Sequence, residues 1–340
     1  MICFAWHGFP QYAARCVGAF VKATTERVVV VATRPHVPVE GMERVAGCEV
    51  IWIENDNDPR DIKTLCGEMP RALFVSGWGT LAFNRYRDDV RANGGRVIAA
   101  SDNDFRLSLK EILRALRFRF LLKGKYDGFW VPGESGRRLM RFYGVPRQMV
   151  QSGLYSADSS LFSDGKPLVQ REKKILFVGQ LIVRKNIVPF ARAFLKANIE
   201  RDWKLEICGC GPLKDLIPSD SSILVHDFVQ PEALASIYRE ARIFALPSLE
   251  EHWGVVVHEA ALSGCVLLLS DRISAGLDFI GRSNGMTVDP LSEDSMAGGI
   301  RKAMQMSDAD LRLAQSESLE RAQQISCERF ADTAREFVNT

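Results

Sequence analysis

Two carboxylates, Glu251 and Glu259, stand with seven residues between them in the stretch from Pro247 to Gly264, PSLEEHWGVVVHEAALSG. The run Ile243-Phe244-Ala245-Leu246 before them reads as a buried strand, and Gly254 to Ser263 reads as a helix closed by Gly264. Glu251 then occupies the loop at the strand's C-terminal end, with Glu259 about one and a half turns into the helix. Helical side chains lean toward the N-terminus, so Glu259 reaches back toward the unpaired amides of the helix start. Two acids flanking one anion-attracting helix end suit a ligand with a phosphate and sugar hydroxyls on either side of it. Taken alone, Glu251 also fits an ordinary acid that stabilises a helix dipole.

Two further strand ends carry chemistry. After Phe177-Val178 come Gly179-Gln180 and then Arg184-Lys185-Asn186, two cations at the start of a helix. They fit a diphosphate clamp, and equally a pair of solvated surface charges. After Glu206-Ile207-Cys208 comes Gly209-Cys210-Gly211-Pro212, a turn where a flat ring could approach the backbone, or only a turn.

The elements that must position these residues are legible in apolar rhythm. Ile2 to Trp6, Arg27 to Thr33, Cys48 to Glu54, Ala72 to Ser76, Arg96 to Ala100 and Tyr126 to Val131 read as strands alternating with helical or polar connections. The stretch from Gln151 to Gln170 is rich in Ser, Gly, Asp and Pro and marks a linker. The pattern then restarts with strands at Lys174 to Val178, Trp203 to Cys208, Ser222 to His226, Ile243 to Leu246 and Val266 to Ser270, with a short last one at Thr287 to Asp289. Such alternation predicts parallel sheets covered by helices, an α/β class used twice. The expected division is 1–155, a linker at 156–172, a second domain at 173–325, and a C-terminal helix at 326–340 that packs back on the first domain.

At 340 residues the chain is long enough for two cored domains. A net charge of +2 argues against nucleic acid as the main partner. Eight cysteines lack paired C-x2-C spacing and read as reduced core thiols of a cytoplasmic protein. No export signal and no run of about 18 apolar residues is present.

The motifs FVGQLIVRKN, LEICGCGPL, VHDFVQPEALASIYREARIFALPS and EEHWGVVVHEAALSGCVLL, in this order, resemble the family 4 retaining glycosyltransferases of the GT-B fold. The resemblance covers Ile175 to Leu269 well. In the first half it extends only to strand and helix rhythm and to FWVPGESGRRLMRFYGVP leading into SGLYSADSSLF. It implies two Rossmann-like domains facing a central cleft, with a nucleotide-sugar donor held by the second. Glu259 would bond the ribose hydroxyls, Glu251 the donor sugar, and Lys185 the diphosphate. The Gly254 and Val255 amides would meet phosphates or sugar, and the Gly209, Gly211 and Pro212 turn would lie near the base.

This chain departs from the family in three places. Gly179-Gln180 replaces Gly-Arg, which leaves Arg184 to supply the missing cation. His252-Trp253 replaces Gly-Phe, so an imidazole stands where it touches donor or packs at the surface. Asp102-Asn103 follows the strand after which many members place a histidine. Asp102 is therefore a candidate for orienting substrate, or a turn former. His7, Gly8, Trp78 and Asn103 are the acceptor-side candidates, with Trp78 also readable as core.

The resemblance implies transfer of a sugar to a hydroxyl of a glycan, lipid-linked sugar or small molecule, with retained configuration, no cofactor and no metal. A nucleotide-sugar 2-epimerase of the same architecture and a non-catalytic nucleotide-sugar-binding subunit are the alternatives. Finally, Arg106 to Lys125 interleaves seven basic residues and one acid with Leu and Phe. It reads either as a helix packed on its own sheet or as a peripheral contact with the inner face of a membrane.

Overall fold

The computed structural model describes the chain except residues 36–40, 106–108, 164 and 340, and gives only the backbone at 109 and 110. Arg106 and the Lys110 side chain of the basic segment thus lie outside the described residues.

Seven strands form the first sheet: β1 Ile2–Trp6, β2 Val28–Ala32, β3 Glu49–Trp52, β4 Ala72–Ser76, β5 Arg96–Ala100, β6 Gly128–Val131 and β7 Val150–Ser152. Their spatial order is β3-β2-β1-β4-β5-β6-β7, every pair parallel. Six more form the second: β8 Glu172–Val178, β9 Lys204–Cys208, β10 Ile223–His226, β11 Ala241–Leu246, β12 Val266–Ser270 and β13 Gly285–Val288. They run in the order β10-β9-β8-β11-β12-β13, again parallel throughout. The central strands read as unbroken apolar runs because helices cover both faces: β1, β2 and β12 are buried at every position.

The chain divides into one compact unit of Met1–Ser156 with Ile325–Thr340, and a second of Ala157–Gln324. The last helix, Cys327–Asn339, belongs to the first unit. Phe330 lies 4.3 Å from the Trp130 ring and 6.2 Å from Phe4, and Phe337 lies 5.8 Å from Trp130. Aromatic pairs of this kind add about 0.5–1.5 kcal/mol each beyond the area they bury. A C-terminal segment thus completes the apolar layer on β1, β4 and β6.

Two local features differ from the sequence expectation. Residues Val150–Ser152 form an edge strand, β7, where a turn followed by linker was expected. Three half-buried residues beside β6 show no alternation long enough to read. Within the stretch assigned to the linker, Glu172 already pairs with Ala241 as the first residue of β8. Buried Arg171 fixes that junction, donating to the carbonyls of Lys166 at 2.8 Å, Ala241 at 3.1 Å and Ser263 at 2.7 Å.

Backbone packing at the ends of β8 and β9 dictates a glycine. A Cβ on Gly209 (φ +159°) would stand 1.9 Å from the carbonyl oxygen of Gly179. That approach lets Gly179 N–H donate to Cys208 O at 3.0 Å and Leu181 N–H to Cys210 O at 2.8 Å. Gly209→Ala should therefore cost about 2–3 kcal/mol or more in urea denaturation, within the range of sterically driven core losses. Gly298→Ala is the contrasting case, in the helix Glu293–Met304 with open space around the added methyl. It should be neutral or stabilising by up to about 1 kcal/mol.

Candidate active site

The second sheet reverses its winding between β8 and β11, and in open α/β sheets ligands bind outside the strand ends at such a point. β8 delivers Gly179-Gln180 and then a short 3-10 turn, Val183–Lys185. Asn186, left-handed at φ 57°, ends the turn and begins the helix Ile187–Ala197, its side-chain amide tied to Pro290 O at 2.7 Å. β11 delivers Pro247 to Glu251, and Leu249 N–H donates to Arg184 O at 2.8 Å. The two loops therefore meet backbone to backbone.

Side chains close the junction. Glu251 and Lys185 are both buried, and Lys185 Nζ donates to Glu251 Oε2. Arg184 adds a second cation, 3.4 Å from Glu251 Oε1, while donating to Glu250 O at 2.9 Å. Glu251 thus faces two cations. The sequence offered Arg184 and Lys185 either as a clamp or as solvated charges; the structure buries Lys185 on Glu251.

Gly254, with no side chain of its own to cap with, begins the helix Val255–Leu262 at φ +84°. A Cβ there would come 3.1 Å from Glu251 Cγ, so the glycine admits both the left-handed turn and the carboxylate beside it. Glu259, on this helix, accepts a hydrogen bond from the Tyr238 hydroxyl at 2.9 Å. Burial pushes its carboxyl up to about 7, and the Tyr238 bond opposes that rise. Tyr238 was absent from the sequence candidates. Its signal is the apolar spacing Leu234-Ala235-Tyr238 on the helix Pro231–Glu240, which marks a core face and nothing about its hydroxyl.

The neighbours of these acids take different roles. His252 is exposed, and its carbonyl accepts from Ser274 Oγ. Trp253 is buried with its ring 5.7 Å from Phe279, and its Nε1–H has no partner among the described residues. His258 is structural: its Nδ1 accepts from Ala157 N–H at 3.0 Å, so Nε2–H donates to Ala322 O at 3.0 Å. Burial holds this imidazole down at about 4. The glycines of Gly209-Cys210-Gly211-Pro212 are required by protein backbone, since Gly211 would set a Cβ 2.5 Å from Leu181 O.

In the first unit, His7 and Gly8 leave β1 beside Ser76 at the end of β4, where that sheet also reverses. His7 N–H donates to Ser76 Oγ at 2.7 Å and its Nδ1 lies 2.9 Å from Asp56, while Gly8 N–H donates to Thr33 Oγ1. A cavity of about 760 Å³ opens here, lined by His7, Arg34, Trp52, Glu54 and Asp56 among others. Trp78 is partly buried, edge-on to Phe118 at 5.2 Å. Asn103 bonds back to Ser101 Oγ at 3.0 Å, as a turn residue does. Asp102 contacts the buried Tyr155, whose hydroxyl is pushed well up by burial and by that carboxylate. Among the described residues no cluster of His, Cys, Asp and Glu could hold a metal ion.

Comparison with known proteins bears on the fold and on the second unit. Residues 172–306 match the family described as Glycosyl transferases group 1. An uncharacterized glycosyltransferase of Methanocaldococcus jannaschii is 30% identical over 141 residues, 39% of this chain and 36% of that protein. HepE of Anabaena, solved with UDP and glucose, superposes with a TM-score of 0.76 at 12% identity, over 100% of both chains. Sucrose-phosphate synthase of Thermosynechococcus elongatus gives 0.73 at 16% identity, over 99% of this chain and 98% of that one. The chain has the GT-B glycosyltransferase fold. Its second unit carries the group 1 match, and in this GT-B chain the Lys185–Glu251 pair and Glu259 all fall within the matched residues. The chain spans little more than a third of the length of the curated relative it matches.

The raised Glu259 carboxyl has a pH signature. Folding that lifts an acid above its ordinary value adds stability below the unfolded range and loses it as pH rises through the folded value. The window therefore runs from about 4.5 up to about 7. Carboxylate NMR should find Glu259 titrating near the top of that window, and Tyr238→Phe should move it higher. Glu259→Gln should flatten the fall in stability between those pH values; an unchanged slope would assign it to another group.

Proposed function

We propose that this chain is a retaining glycosyltransferase, moving a sugar from a nucleoside-diphosphate sugar to an acceptor hydroxyl without a bound metal. The observation that carries the reading is the buried Lys185–Glu251 pair with Arg184, set beside the glycine-led start of Val255–Leu262 at the switch point of the second sheet. Cations and helix amides there would stabilise the charge that builds on a departing diphosphate. Glu251 would grip donor-sugar hydroxyls, and Glu259, held by Tyr238, would bond the ribose. His252, exposed beside Glu251, would face the donor sugar or its phosphate, and Gly179 with Gln180 would border the diphosphate. The departing phosphate would take the acceptor proton, which fits retention of configuration and requires no separate protein base.

The acceptor would bind on the first unit, where His7, Gly8, Asp102 and Asn103 end strands of its sheet. Of the other histidines described, His258 is locked between two backbone groups and His226 is bonded to Glu206 at 2.8 Å. Neither suits the proton transfers that an epimerase requires. HepE was solved with UDP-glucose, which makes UDP-sugars the first donors to test, ahead of GDP-, dTDP- and ADP-sugars.

Thermal shift against that panel should show a rise in melting temperature with one nucleotide class. Glu251→Ala and Glu259→Ala should each weaken donor binding or turnover by about 1.5–3 kcal/mol, roughly 10- to 150-fold. Normal activity in both folded variants removes this site from the reaction. Activity should survive EDTA, and loss restored by manganese would overturn the metal-free part. Binding with neither hydrolysis nor transfer across the panel would point to a non-catalytic subunit.

A further inference from the structure

The helix Leu109–Leu121 carries two apolar faces where a helix on a sheet needs one. Its inner face is satisfied. Ala115 and Phe118 are buried, and Phe118 packs within 4.8 Å of Tyr143 and 5.5 Å of Phe129. The buried Glu111 carboxylate accepts the Tyr143 hydroxyl. Arg119 fastens the far end, donating to Tyr143 O at 3.2 Å and Phe142 O at 3.0 Å. Opposite lies a second stripe, Ile112, Leu116 and Phe120 at i, i+4 and i+8, joined by Leu113. All four are exposed, Leu113 at 68% and Phe120 at 83%, and Leu121 beside them at 58%.

At about 100° per residue, Arg117 and Arg119 project along the two flanks of that stripe, while Arg114 lies nearer the packed face, 3.7 Å from Glu111. Lys123 and Lys125 follow directly in the chain. From 109 to 125 the one acid is Glu111, and it is turned inward. Large exposed apolar stripes on a soluble surface are rare without an occupant.

We propose that this face docks on an anionic lipid bilayer, with the helix lying in the interface plane. Leu113, Leu116 and Phe120 would enter the acyl boundary while Arg117, Lys123 and Lys125 meet headgroup phosphates. Charge complementarity selects the bilayer over a second copy of the chain. A two-fold pairing of this stripe would set arginines against arginines, with no exposed acid on the helix to answer them. At 13 residues the helix is too short to span, so the contact is peripheral. The overall charge of only +2 makes this basic flank a local feature that whole-chain composition conceals. The proposal is independent of which donor the second unit takes.

Co-sedimentation of the full chain decides it. The protein should pellet with vesicles of phosphatidylcholine containing phosphatidylglycerol, far less with phosphatidylcholine alone, and less at high salt than at low. Leu113→Glu with Phe120→Glu should abolish pelleting while leaving the circular-dichroism melting curve in place, because both positions already face water. Arg117→Glu with Lys123→Glu should remove the preference for anionic vesicles. No pelleting of the wild-type chain, or equal pelleting of the Leu113/Phe120 variant, overturns the proposal. So does a dimer in light scattering that the same variant dissolves in the absence of any vesicle binding, which would make the face a self-interface.

Discussion

The buried pair between Lys185 and Glu251 is the contact that joins the two loops at the switch point of the second sheet. The two residues are 66 positions apart and come from loops after different strands, one on each side of the point where the sheet reverses. Neither charge would be stable alone at that depth, since a buried ion without its partner costs several kcal/mol. Each loop therefore holds its course only if the other does. The Leu249-to-Arg184 backbone bond and the Arg184 contact to Glu250 O make the same join in neutral groups. Asn186 accepts a left-handed conformation to bring Lys185 inward, and Gly254 accepts one to leave room for Glu251. The left-handed backbone at Asn186 is thus offset by the ion pair, while Gly254 adopts its turn without a Cβ penalty.

The parts of this arrangement that the sequence made legible are those written in strand and helix periodicity. β1, β4, β5 and β12 match their apolar runs residue for residue, because a buried parallel strand has no alternation to confuse and is bounded by polar turns. The helix carrying Glu259 was readable from Gly254 and Gly264 at its two ends. What could not be read depends on distance in space. Tyr238 looks like any core residue of its helix until β11 and the helix Val255–Leu262 place Glu259 against its hydroxyl. The glycines after β9 look like an opening for a ligand, and the structure shows them set by the carbonyls of Gly179 and Leu181. The sequence offered packing and membrane contact as alternatives for the basic helix. The structure gives it one packed face and one exposed face, since a 3.6-residue repeat has room for both.

The two acids that open the chain's most informative stretch differ in what surrounds them, and that difference bears on the chemistry. Glu251 faces Lys185 and Arg184, so its charge is answered inside the protein. Among the described residues Glu259 has one neutral donor, the Tyr238 hydroxyl, and burial holds its proton on to about pH 7. A carboxylate already paired with cations is held in one orientation. A carboxyl poised near neutrality is different: it donates a hydrogen bond when protonated and accepts when ionised. A hydroxyl-bearing ligand brought against it supplies donors that favour the ionised form, and so would pull its pKa down on binding. Affinity for such a ligand would then be coupled to pH through Glu259, a property created by burial and by a neighbour 21 residues distant in sequence, and by nothing in the spacing of the acids themselves.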